Sequence, residues 1–321
     1  MHILVTGATG FVGSALLQHL CDTGRHQVRA ALRKTPSALP LPVSVKAIKA
    51  GELSAQGDWI DALTGIDAVV HCAARVHVMN ETATDPLAEF RRVNVEGSLA
   101  LARQAQRAGV KRFVFVSSIK VNGEATQPGH PFTADDVPVP LDPYGVSKLE
   151  AEQALLALGR SGPMEVVVVR PVLVYGPGVK ANFQSMMRWI DKGVPLPLGG
   201  ITANRRSLVA VDNLVDLITI CLTHPAAAGQ VFLAADGEDL STTSLLRRTA
   251  QAMGKRPTLL PVPAGLLTLA ARLLGKPGIA QRLCGSLQAD IGKNRDLLGW
   301  TPPVKVDEAL KKTIAAYRRG G

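Results

Sequence analysis

The amino-acid sequence predicts an α/β fold: a doubly wound parallel sheet with a smaller α/β C-terminal region over its carboxyl edge. Three observations predict it. Short, continuous apolar runs alternate with helix-spaced segments through the first half of the chain, as strands buried on both faces require. A glycine-rich turn stands between the first of these runs and the first helical segment. After Pro171 the alternation loosens, and prolines and glycines punctuate 174–204.

The elements follow in order. Strands are expected at 3–6, 27–32, 68–72, 112–117 and 165–170, the last being four valines bounded by charges. Helices are expected at 11–20, from about 87 to 108, and at 142–158. Residues 230–234 read as a strand returning to the main sheet. The predicted division is a first domain over 1–170, with a returning segment at about 207–235, and a substrate-binding region over 171–321. The apolar run 259–274 is interrupted by Pro261 and Pro263, carries Arg272 and falls short of the ~20 residues that span a bilayer. It is expected to be an amphipathic helix buried in the second region, with contact to a membrane surface left open.

Composition narrows the function classes. The formal charge is +10, yet the cations are scattered and aromatics make up only 4%. Nucleic acid is therefore not expected as a partner, and an anionic small substrate is the working expectation. Cys21, Cys72, Cys221 and Cys284 lie far apart, without metal-type spacing. Reduced thiols, no metal, no cleavable leader and a cytoplasmic location are expected.

The run Thr6-Gly7-Ala8-Thr9-Gly10-Phe11-Val12-Gly13 follows a strand and opens a helix. Alone, such glycines describe a turn. At the first strand-to-helix junction of an alternating chain they describe a Rossmann dinucleotide site, where backbone N–H groups meet a pyrophosphate. Gly7, Thr9, Gly10, Phe11, Val12 and Gly13 are the candidate contacts. The second strand ends Ala30-Ala31-Leu32-Arg33-Lys34, without the carboxylate that would hold the ribose of NAD. Arg33 therefore favours NADP(H), with NAD(H) left possible.

Asp142-Pro143-Tyr144-Gly145-Val146-Ser147-Lys148 carries a helix start, Asp142 capping and Pro143 in the first position. Tyr144 and Lys148 then share a face, one turn apart. A phenol near its ordinary value of about 10 is a weak catalyst at neutral pH, and a neighbouring cation is expected to lower it.

The glycine turn, the strand ending Ser117-Ser118 and the Tyr-x-x-x-Lys pair together resemble the extended short-chain dehydrogenase/reductase family of nucleotide-sugar epimerases, dehydratases and reductases. The resemblance extends over nearly the whole chain, through His71-Cys72-Ala73-Ala74, Asn94-Val95-Glu96-Gly97, Arg170-Pro171 and Leu298-Gly299-Trp300-Thr301-Pro302. It implies that Tyr144 exchanges the proton, Lys148 holds the nicotinamide ribose, and Ser118 binds the reacting oxygen. It further implies cofactor contacts at Glu52 and Leu53, Ala73 and Ala74, Asn94 and Pro171. Arg206 would bind the substrate diphosphate, with Asn182 and Arg282 as further substrate candidates. Lys120 and Asn122, where relatives differ, suggest a distinct substrate pocket, while Glu150 and Glu152 are expected to face solvent or a subunit contact. A homodimer through 87–108 and 142–158 is implied as well.

No acidic pair follows Ser118, which lowers dehydration in rank. The expected activity is C4 reduction of a UDP-4-keto-6-deoxy-N-acetylglucosamine to UDP-N-acetylquinovosamine, in surface polysaccharide synthesis. The alternatives are a UDP-hexose 4-epimerase with retained NAD and, in another class, a non-catalytic dinucleotide sensor.

Overall fold

The computed structural model describes residues 1–33, 41–76, 85–127, 129–275 and 277–319. Lys34 lies outside the described residues. Among the described residues ten strands are present: β1 His2–Thr6, β2 Gln27–Leu32, β3 Lys46–Lys49, β4 Ala68–His71, β5 Arg112–Val116, β6 Glu165–Pro171, β7 Leu173–Tyr175, β8 Arg206–Ala210, β9 Val231–Ala234 and β10 Asp239–Leu240. Twelve α-helices accompany them: α1 Phe11–Asp22, α2 Ile60–Leu63, α3 Pro86–Arg91, α4 Ser98–Arg107, α5 Pro143–Arg160, α6 Ala181–Asp191, α7 Val211–Thr223, α8 Thr242–Ala252, α9 Ala264–Leu273, α10 Pro277–Cys284, α11 Gly292–Leu298 and α12 Val306–Arg319.

Seven strands form one sheet in the order β3-β2-β1-β4-β5-β6-β9, every pair parallel. This is the Rossmann arrangement, reversing direction between β1 and β4, where a crevice opens at the carboxyl ends. The valines of β6 show why the strands read as unbroken apolar runs. Val167 and Val169 enter one core with α1 and α7, while Val166 and Val168 enter another with α4 and α5. Neither face meets water, so alternation disappears.

Three features depart from the expectations. Strand β3 was not foreseen, because its lysine-rich sequence reads as surface; lysines suit an exposed edge strand. Residues 206–210 pair with β7 and β10 in a separate three-stranded sheet, although Val209 still packs into the core beneath the larger one. Helix α9 buries no residue fully: Leu266, Leu269, Leu273 and Leu274 are exposed, which corrects the expectation of a buried helix. Its apolar residues occupy both faces, and only one face has a protein neighbour.

Glu152 is also corrected. Instead of facing solvent it is buried, accepting from Arg170 Nη2 at 2.6 Å and Nε at 3.0 Å. Arg170 Nη1 donates to Asn122 Oδ1 at 3.0 Å, and Asn122 Nδ2 donates to the Thr133 carbonyl at 2.9 Å. Asn122 is thus a buried brace between β6 and the loop after β5 and does not line a substrate pocket. Glu150 does reach the surface, forked by Arg91. Removing one partner of a buried pair strands the other's charge. Glu152→Gln is expected to cost about 3–5 kcal/mol in urea unfolding, and the double change with Arg170→Met to recover most of that loss.

Candidate active site

The carboxyl ends of β1, β4, β5 and β6 bring the candidate residues together. Gly7 follows β1 at φ +66°, and a Cβ there would stand 2.6 Å from the Ala73 nitrogen. A side chain at Gly13 would collide with the Gly7 carbonyl. The first turn of α1 holds no acidic residue, and its cap Gly10 offers no side chain to the leading N–H groups. Thr9 and Gly10 are exposed, Phe11 and Val12 half-buried. This backbone cradle fits a dinucleotide pyrophosphate, since a helix N-terminus favours an anion. Arg33 is exposed just beyond β2, and Glu52 is exposed. Leu53 lies against Gly97, whose own Cβ would meet the Leu53 backbone at 2.7 Å.

Asn94 sits on a π-helical turn, Arg92–Gly97, that interrupts the helix expected over 87–108. Such turns aim side chains that a regular helix would misdirect. Asn94 accepts from the Arg75 N–H at 2.8 Å and donates to Ser147 Oγ at 3.0 Å. It ties the loop after β4, with Ala73 and Ala74, to α5, which is a bracing role. Pro171 ends β6, paired with Ala234.

Asp142 caps α5 by accepting from the Gly145 N–H at 2.6 Å, and Pro143 occupies the first turn. Tyr144 is thereby held edge-on to Phe90, ring centroids 6.0 Å apart, with the Ser118 side chain close to its hydroxyl. One turn later Lys148 Nζ donates to the Val116 carbonyl at 2.7 Å and lies 3.8 Å from the centre of the Phe115 ring. Burial drives the lysine down to about 7, against the opposing pull of Glu152. Burial and Asp142 push the Tyr144 phenol up to about 12, a rise that the Ser118 side chain moderates. The expectation that Lys148 lowers the phenol is therefore not met by the protein's own groups. Desolvation, then Asp142, sets the direction of the phenol's shift.

Lys120 is engaged, its ammonium set between Asp142 and Glu124, so it braces the start of α5 instead of offering a free charge. Arg206 is half-buried on β8, donates to the Gly285 carbonyl at 3.1 Å and has no carboxylate partner among the described residues. Burial lowers its pKa, so an anion is its natural complement. Asn182 is exposed in the first turn of α6. Arg282 is exposed on α10 and bonds the Gly278 carbonyl of its own helix, not the residues around Tyr144.

Residues 3–235 match the NAD dependent epimerase/dehydratase family. The chain belongs to that family. It is an enzyme of the extended short-chain dehydrogenase/reductase type. UDP-glucose 4-epimerase of Vibrio cholerae is 48% identical over 315 residues, covering 98% of this chain and 95% of that protein. N-acetyl-alpha-D-glucosaminyl-diphospho-ditrans,octacis-undecaprenol 4-epimerase of Escherichia coli O157:H7 is 26% identical, covering 98% and 94%. The solved structure of MoeE5 in complex with UDP-glucuronic acid and NAD superposes with a TM-score of 0.78 at 28% identity, with both chains fully covered (100%).

Sequence reasoning gave no role to His71 and Phe115, of which Phe115 packs against Lys148 and His71 stacks on Phe115. His71 is buried, hydrogen-bonded to Thr6 Oγ1 at 2.6 Å and Ser98 Oγ at 2.9 Å, and stacked on Phe115 at 5.7 Å. Burial, then the charge of Lys148, hold it down to about 3 and therefore neutral. A histidine within an apolar strand was the available signal. Lys148 itself carries a testable cost. Its folded value lies below the ordinary 10.5, so the penalty is full below pH 7 and lifts as pH rises from about 7 towards 10.5. Lys148→Met is expected to raise the melting temperature of dinucleotide-free protein by about 5 °C at acidic pH, and by progressively less in alkali.

Proposed function

We propose that this family member is a C4 epimerase of a UDP-hexose that retains NAD through its catalytic cycle. The observation that supports the reading is the Ser118 side chain close enough to the Tyr144 phenol to lower its pKa, with no second acid–base couple following Ser118 in Ile119 and Lys120. Behind Ser118 come buried Ile119 and Lys120, already occupied by two carboxylates. Such a site suits proton exchange at one sugar oxygen and lacks the extra groups that eliminating water would use. The two relatives both carry the words 4-epimerase and act on a diphosphate-linked sugar by name, which supports epimerisation over the C4 reduction expected from sequence.

The residues take these roles. Gly7, Gly10 and Gly13, with the N–H groups opening α1, hold the pyrophosphate of NAD. Arg206 pairs with the substrate diphosphate. Ser118 donates to the C4 oxygen and orients it. Tyr144 takes the proton of that hydroxyl and returns it after the sugar presents its other face. Lys148, fixed by the Val116 carbonyl, holds the ribose beside the phenol. A bound oxidised nicotinamide would supply a hydride acceptor that returns the hydride to the sugar, and a positive charge. That charge matters, because the protein's own groups keep the phenol protonated. Arg33 favours the reductase alternative, since it suits the extra phosphate of NADP.

Purified protein given UDP-glucose without added cofactor is expected to form UDP-galactose, and denaturation to release NAD. Tyr144→Phe is expected to lower kcat by about 10²–10⁴ with NAD still retained. No interconversion, together with stoichiometric consumption of NADPH on a UDP-4-keto-6-deoxyhexosamine, would replace the epimerase with the reductase.

A further inference from the structure

The hairpin of α9 and α10 presents a surface that the proposed chemistry does not use. Leu266, Leu269 and Leu273 recur at helical spacing on the outer face of α9. With Leu274 and Ile279 they form an exposed apolar strip, Leu273 being 80% and Leu274 74% accessible. Monomeric surfaces seldom leave such side chains contiguous without a purpose. The charge around the strip is one-sided. From Leu240 to Ala289 the sequence has 7 Lys or Arg and no Asp or Glu. Arg248 and Lys255 are neutralised by acids from outside that stretch. Arg256, Arg272 and Arg282 are exposed and make no ion pair among the described residues. Between the two helices a cleft of about 430 Å³ is lined by Arg272 with Thr268, Gln281, Cys284 and small residues, without a carboxylate.

We propose that this hairpin docks the protein on an anionic phospholipid surface, the leucine strip entering the interface while the arginines meet lipid phosphates. A bilayer with negative headgroups matches both halves of the pattern: apolar side chains gain from leaving water, and unpaired cations gain from the surface charge. A neutral apolar partner would leave the arginines without complement. The placement also relates to the cleft. Gly285, which follows α10, accepts the hydrogen bond of Arg206, so the docked element adjoins the residue assigned to the substrate diphosphate. The surface stands whether the enzyme epimerises or reduces.

The test is sedimentation of the full chain with vesicles of phosphatidylglycerol and phosphatidylethanolamine, compared with phosphatidylcholine vesicles and with added salt. Binding is expected to the anionic vesicles and to weaken with salt. Leu273→Gln with Leu274→Gln is expected to lower the bound-to-free ratio about tenfold, with turnover in solution and melting temperature unchanged, since both side chains are exposed. Arg272→Glu should reduce binding to anionic vesicles alone. Equal, weak binding to both vesicle types would overturn the proposal. So would a leucine variant that binds as before, or one that instead lowers the oligomeric state in light scattering, which would assign the strip to a second copy of the chain.

Discussion

Lys148 reaches the end of β5 because α5 starts at a capped and proline-fixed point, and its ammonium is then enclosed between a strand carbonyl and an aromatic ring. That enclosure organises the groups around it. His71 stays neutral under the lysine charge as well as its own burial, and Glu152, one turn further along α5, faces the lysine as a counter-charge while holding Arg170. A buried cation is costly unless polar atoms surround it, and here they come from the Val116 carbonyl of β5 and from Glu152 of α5. Tyr144, one turn earlier on α5, is governed by its own burial and by Asp142. Proton transfer at this phenol therefore depends on the charges that face it from the cleft more than on the spacing of Tyr144 and Lys148 along the helix.

Stability and site geometry share the same struts. Asn122, Glu152 and Arg170 hold the loop after β5 against α5 and β6, and that loop carries Ser118. Lys120 closes the arrangement from the surface by gripping Asp142, the cap of the helix that presents Tyr144. Residues that look like substrate contacts by proximity in sequence are in this way supports for the residues that do the chemistry. The cost of losing them would be paid first in positioning, since active groups tolerate little displacement.

The second region has its own core, in which Phe183, Met187 and Ile190 of α6 pack with α8 and α12. Its three-stranded sheet holds Arg206 beside Gly285, the residue that follows α10. The hairpin of α9 and α10 packs against that core through Leu267 and Leu283 and is apolar where it meets solvent. One region thus combines a closed interior, a cationic fork and an open hydrophobic flank. These differ because the chain buries only as much of α9 as neighbouring elements can cover.

Much of the larger sheet was legible from residue order. Its strands are continuous apolar runs, its first turn needs glycine for close backbone approach, and α5 announces its start with Asp142 and Pro143; each is a local signal carried by adjacent residues. The resemblance that named the family rested on the same local signals. What could not be read depends on partners distant along the chain. Glu152 looked exposed because a carboxylate on a helix usually is, and it is buried because Arg170 reaches it. The strand Arg206–Ala210 joins a separate sheet because its neighbours come from residues 173–175 and 239–240. The direction of the Tyr144 shift and the exposure of α9 likewise follow from burial, a property of the assembled chain that no spacing of residues encodes.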